Sequence, residues 1–220
     1  MTNRAPLFAV LGPWQGGTSL TAGAVQSMGV PFDYDPLPLD LSYDAHESRS
    51  LHAAVRRCFY QGPKYWGHLF DYPRRVKILS EWLRSRGEIR TLGAKEPTLC
   101  ALVPELSEAC RRSGYDLRPI VVRRDLTEVY ASWERRTNSE GGPWWPRPDY
   151  REAVADLVQR REEGLPDADL RAVVVDFDVL RSSIEEEGRL LADRLGLDRP
   201  HPGVLRRHLQ LGCSVYPVRK

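Results

Sequence analysis

Residues 7–19 read LFAVLGPWQGGTS, a run of five apolar side chains that passes through a Gly, Pro and Trp loop and ends on two hydroxyls. A short continuous apolar run fits a strand buried on both faces. A glycine loop that opens onto a helix turns several backbone N–H groups and the positive end of the helix toward one tetrahedral anion. The spacing Gly12, four residues, Gly17, Thr18, Ser19 meets the nucleotide-binding pattern GxxxxGK[ST] everywhere except at its lysine, where Thr18 stands. That lysine is the charge that draws in the β- and γ-phosphates of a nucleoside triphosphate, so a loop without it suits another phosphate ester. Taken alone, the same glycines also make an ordinary turn.

A second stretch has matching character. Residues 117–133 read LRPIVVRRDLTEVYASW, an apolar strand that ends on Arg123 and Arg124 and leads into a helix opened by Asp125 and carrying Ser132. Asp125 is placed as the helix cap. Ser132 follows Arg124 by eight positions, about two helical turns, so its hydroxyl shares a face with a guanidinium that offers a bidentate fork. A strand-to-helix junction with solvated arginines is the alternative.

The rest of the chain alternates strands with helices, which predicts an α/β fold: one P-loop-like domain over residues 1–220, a parallel sheet flanked by helices. Helices are expected at 20–28, 46–60, 73–86, 98–112, 150–163 and 179–195, the last closing at Gly196. On 46–60, His52, Val55, Arg56 and Phe59 share a face; on 73–86, Val76, Leu79, Trp82 and Leu83 form an apolar stripe after Pro73. Strands are expected near 89–94, leading to Lys95, and at 172–175, read as buried. Periodicity assigns nothing to the Pro- and Asp-rich residues 31–44, and 138–148, NSEGGPWWPRP, break the pattern.

Charge narrows the partners. Thirty-two Lys and Arg against thirty Asp and Glu leave a net +2, so no global field draws the chain to nucleic acid or to a membrane surface, and any anion site is local. No run of eighteen apolar residues and no charged-then-apolar leader occurs, and a cytoplasmic protein is expected. Cys58, Cys100, Cys110 and Cys213 make neither a CxxC pair nor a metal-ligand spacing with histidine, so reduced thiols and no metal are expected.

The two motifs together resemble the sulfotransferases that use 3′-phosphoadenosine 5′-phosphosulfate, in particular the small bacterial members. Gln15, Gly16, Gly17, Thr18 and Ser19 match their first motif, [KR]-[SAG]-G-T-[ST], set between strand and helix. Gln15 departs from it, because the family has Lys or Arg near the bridging oxygen between phosphate and sulfate. Arg124 and Ser132 match the pair that holds the 3′-phosphate, although the proline of the surrounding RxPxD is lost. Weaker likenesses extend over most of the chain: GAKEPTL at 93–99 to a K-[DET]-P segment, AVVVDFDVL and ADRLGL at 172–197 to the late strand and helix, and LRRHLQL at 205–211 to a basic tail.

What the resemblance implies is transfer of SO₃ to an acceptor hydroxyl or amine, an in-line displacement with no metal, in which the protein aligns the reactants, stabilises the leaving phosphate and takes the acceptor's proton. Lys95, at a strand end on the crevice side of a parallel sheet, is the candidate cation in place of the one Gln15 lacks; a surface ion pair with Glu96 is its alternative. Asp44, in SYDAHES at 42–48, falls nearest the acidic residue of the family's segment, while His46 has the better proton affinity at about 6.5 for neutral conditions. Both residues also fit the cap and first turn of the next helix, and Glu47 and Glu96 stand in reserve. Trp144 and Trp145 either stack on an acceptor or anchor their loop, which leaves a small molecule, a glycan and a lipid headgroup all open. Two rival functions remain: a P-loop kinase, for which Asp176 is the strand-end acid, and a nonenzymatic nucleotide binder, for which Gln15 is the motive.

Overall fold

A computed structural model describes residues 4–32, 48–59, 69–87, 89–139 and 150–206. The first apolar run forms β1, Ala5–Leu11, with β2, Leu92–Lys95, on one side and β3, Tyr115–Arg123, on the other; β4, Val173–Asp176, pairs outside β3. All neighbouring strands are parallel and the order is β2-β1-β3-β4. The chain therefore leaves β1 toward one edge of the sheet and later returns past it to the other. In open α/β sheets the crevice where strand order reverses in this way is the ligand position.

β1 is buried on both faces, as its composition requires. Leu7, Ala9 and Leu11 enter one core with α2 (Arg49–Arg57), α3 (Tyr72–Arg84), a 3₁₀ helix (Pro97–Ala101), α4 (Val103–Arg112) and α6 (Tyr150–Asp167). Phe8 and Val10 enter the opposite core with α1 (Thr18–Ser27), α7 (Phe177–Ser182) and α8 (Ile184–Leu195). The helix after β3, α5 (Leu126–Ser139), contributes Val129 to a smaller cluster with Tyr150 and Val154, against which Trp14, Tyr130 and Trp133 pack. The stripe Val76, Leu79, Trp82, Leu83 is buried as expected.

Several boundaries differ from the sequence reading. The helix expected at 98–112 divides at Leu102, because Pro104 lacks the N–H an uninterrupted helix would use and instead starts a new one. The helix expected at 179–195 divides at Ser183, and the strand near 89–94 begins only at Leu92. The strand at 172–175 is an edge strand: Val175 packs inward while Val174 is 37% exposed, since only one of its faces is covered. On α2 the buried positions are Leu51, Ala54 and Val55; of the face read through His52, Val55, Arg56 and Phe59, Val55 is buried, His52 and Phe59 are half-buried and Arg56 is exposed. Ser48 caps that helix by accepting from the Leu51 N–H at 3.0 Å, so the cap and first turn do not fall at Asp44 and His46; those two residues, with Glu47, lie outside the described residues. So do Trp144, Trp145, Arg207, His208 and Cys213. Cys58, Cys100 and Cys110 are buried free thiols, and burial pushes Cys58 and Cys100 up to about 12. No helix among the described residues is long and apolar enough to cross a membrane.

Candidate functional site

Register brings the motifs together. Leu11, the last residue of β1, lies opposite Val121, and Val10 opposite Lys95, so the glycine loop runs beside the carboxyl ends of both neighbouring strands. The loop passes so close to β3 that a Cβ on Gly12 would stand 3.3 Å from Val122 and 2.7 Å from the Thr18 methyl. Gly17 is the N-cap of α1 at φ 89°, a backbone region an L side chain rarely enters, and it has no side chain to cap the helix. The first helical bond runs from the Thr21 N–H to the Gly17 carbonyl at 3.2 Å, which leaves the N–H groups of Thr18, Ser19 and Leu20 at the positive helix end without intrahelical acceptors.

Gln15 also has positive φ, 60°, a conformation that costs a non-glycine residue about 1–2 kcal/mol. Two contacts from the β3 side hold it there. Arg124 Nη1 donates to the Gln15 carbonyl at 2.7 Å, and the Ser132 hydroxyl donates to Gln15 Oε1 at 3.3 Å. Arg124 and Ser132 thus both reach Gln15, one at its carbonyl and the other at its side-chain amide oxygen. Asp125 caps α5 by accepting from the Thr127 N–H at 2.7 Å, and these bonds hold its carboxyl below the usual carboxylate range.

The guanidinium of Arg124 is poorly satisfied. Its side chain is 9% exposed, its Nε is buried without a hydrogen-bond partner among the described residues, and its closest carboxylate, on Glu128, is 4.0 Å away and exposed. Burial accordingly lowers its pKa from the ordinary arginine value. It lies over the Phe177 ring at 4.4 Å, a cation–π contact. Phe177 follows Asp176, which pairs with Arg123, so the register that ends β3 and β4 together also stacks these two side chains.

On the other flank, Lys95 ends β2 and is 3% exposed, and its Nζ donates to the Ser19 hydroxyl at 3.2 Å. The alternative of a surface ion pair with Glu96 fails, because both residues are buried and the Glu96 carboxylate caps the 3₁₀ helix, accepting from the N–H and hydroxyl of Thr98. Its other oxygen lies 3.5 Å from His52 Nδ1. Asp176 likewise works as a cap, accepting from the N–H groups of Asp178 and Val179.

Sequence reasoning missed four contributors. Phe177, His52 and Tyr150, whose hydroxyl donates to the Trp14 carbonyl at 3.3 Å while its ring stacks on Trp133, come from distant elements with no local signal. Arg161 is the fourth: 3% exposed on α6, it donates from Nη1 to the Val122 carbonyl at 3.1 Å, anchoring β3 just before Arg124. Its place at the i+4 position from buried Leu157 was the available clue.

No known family model matches the sequence, and no curated protein matches it. Among solved structures, the chain is similar to the sulfotransferase domain from the Synechococcus PCC 7002 olefin synthase, with a TM-score of 0.52, 16% sequence identity, and coverage of 93% of this chain and 77% of that one. At that identity the likeness is one of fold. The chain has a sulfotransferase-like α/β fold, and the motifs at residues 15–19 and 124–132 lie on it at the crevice flanked by β2 and β3.

Proposed function

We propose that this protein is a sulfotransferase that moves a sulfuryl group from 3′-phosphoadenosine 5′-phosphosulfate to an acceptor hydroxyl or amine by in-line displacement. The observation that carries the reading is Arg124: a nine-tenths buried, under-bonded cation beside an uncapped helix N-terminus, at the point where strand order reverses. Two anion-binding devices on adjoining strands fit a ligand with two separate phosphate groups. In this reading the backbone N–H groups of residues 16–20 and the Thr18 and Ser19 hydroxyls receive the 5′-phosphosulfate. Arg124 and Ser132 receive the 3′-phosphate, with Gln15 between the two. Lys95, one hydrogen bond from Ser19, stabilises the charge that builds on the leaving phosphate. No metal is required for any of these roles. The acceptor is a small molecule, glycan or lipid, and the protein works in the cytoplasm.

A kinase reading is the weaker one because Asp176, the acid it needs, is engaged as the cap of α7 on an edge strand. The test is calorimetry with adenosine 3′,5′-bisphosphate and adenosine 5′-monophosphate. A charge-assisted set of bonds to the 3′-phosphate is worth about 1.5–3 kcal/mol, so the bisphosphate binds at least about tenfold tighter. Arg124→Ala removes that difference while the fold persists. Equal affinities in the wild type, or stabilisation only by ATP with Mg²⁺, would overturn the reading.

A further inference from the structure

Arg161 stands where α6 turns apolar residues into the core. Tyr150, Val154, Leu157, Arg161 and Gly164 recur at intervals of three or four along the helix, and all five are buried. The helix packs closely at that point: a Cβ on Gly164 would stand 3.1 Å from Val103 Cβ and 3.0 Å from Pro104 Cδ, at the start of α4. A charge taken into such a position is costly unless it is paired and hydrogen-bonded, and this one is only partly so. Nη1 donates to the Val122 carbonyl at 3.1 Å and Nη2 to Glu162 Oε1 at 2.6 Å, while Nε is buried without a hydrogen-bond partner among the described residues. The Glu162 side chain is 43% exposed, and its other oxygen lies 3.8 Å from Arg123, so one half-solvated carboxylate serves two guanidinium groups.

The glycine loop lies just beyond. The Val122 oxygen that accepts from Arg161 is 3.4 Å from the place a Cβ of Gly12 would take, so a single carbonyl separates the guanidinium from the start of the loop. Cys100, fully buried, marks the same neighbourhood: burial raises its thiol pKa, and the Arg161 charge and the Gly12 N–H both pull it back. The bond to Val122 also fixes the end of β3, two residues before Arg124. We infer that Arg161 is a positioning residue of the anion site: it fixes the carboxyl end of β3 against the glycine loop and supplies a buried positive charge that a bound phosphate group balances. The inference rests on the sulfuryl-transfer reading above and deepens it, with a cation that acts through strand and loop and not by contact. It suits a loop whose Gln15 brings no charge of its own. Buried charges are screened little by salt or solvent, so this one still acts over several ångströms.

The experiment is calorimetry with adenosine 3′,5′-bisphosphate on wild type, Arg161→Gln, Arg161→Lys and Glu162→Gln, with adenosine 5′-monophosphate run on wild type as the reference and a melting temperature for each protein. Arg161→Gln keeps an N–H donor for Val122 and loses the charge, and its affinity is expected to fall about 10–30-fold; a unit charge about 10 Å from another is worth that order at an effective dielectric constant of about 20. Arg161→Lys keeps the charge and stays within about threefold of wild type. Glu162→Gln leaves both arginines in place, removes the carboxylate they share, and tightens binding about two- to fivefold, a gain that a merely structural Arg161 does not produce. Glu162 is half-solvated, so this variant reads out the charge even where Arg161→Gln fails to fold. Arg161→Gln at wild-type affinity, Arg161→Lys as weak as Arg161→Gln, or Glu162→Gln without tighter binding overturns the role of Arg161, while a wild-type preference for the bisphosphate keeps the sulfotransferase reading. A wild type that binds both nucleotides equally overturns that reading and this inference with it.

Discussion

Replacement of Gly17 by alanine probes the point where the glycine loop, β4 and the Arg124 side chain meet. A Cβ on Gly17 would stand 1.9 Å from Phe177 Cδ2, far inside van der Waals contact, and the backbone there has φ 89°. The left-handed backbone costs a residue bearing a Cβ about 1–2 kcal/mol. Overpacking against a ring that is itself held by the core adds about 1–3 kcal/mol. Gly17→Ala is therefore expected to lose about 2–5 kcal/mol in urea unfolding, read as a lower midpoint at unchanged slope. The two parts separate in a double-mutant cycle. In a Phe177→Ala background the clash is gone and the backbone part remains, so Gly17→Ala costs only about 1–2 kcal/mol there, a coupling of about 1–3 kcal/mol. The same ring stacks on Arg124, so a displaced Phe177 should also weaken binding of adenosine 3′,5′-bisphosphate. A single variant within about 0.5 kcal/mol of wild type, or a cycle without coupling, would refute the claim that this glycine is required by contact and conformation together.

If Lys95 stabilises the leaving phosphate, Lys95→Met should lower kcat by about 10²–10³ with a smaller change in bisphosphate affinity, and normal turnover would remove it from the mechanism. Gln15→Lys should be neutral or mildly activating, since it returns a cation to the loop; a loss beyond tenfold would mean that the Ser132 bond to Gln15 Oε1 matters more than charge. Hydrogen bonds from Arg111 and then Arg112 hold the Glu108 carboxyl down at about 2, against an ordinary 4.5. A depressed carboxyl stabilises the fold above its unfolded value and loses that contribution as pH falls from about 4.5 toward about 2. Because both arginines are exposed, Glu108→Gln should cost only about 0.5 kcal/mol at neutral pH, and the gap from wild type should close in acid unfolding near pH 2.

Local chemistry carries far in this chain. The run at 7–11 announces a strand buried on two faces because it has no polar position to turn toward water, and β1 is that strand. The glycine loop, the Asp125 cap and the Arg124–Ser132 spacing were legible for the same reason: each is decided by residues within one or two turns of one another. Misreadings came where local patterns underdetermine packing. Alternation cannot tell an edge strand from an inner one, so the exposure of Val174 was hidden. The sequence by itself determined the glycine loop between β1 and α1 and the parallel α/β plan. Only the tertiary structure decided that Phe177 seats Arg124, that Arg161 anchors β3, that Glu96 caps a helix instead of pairing with Lys95, and that His52 meets Glu96. The contacts of Phe177 with Arg124, Arg161 with Val122 and His52 with Glu96 join residues 39 or more positions apart, and the packing of distant elements, which no local spacing encodes, is what sets them.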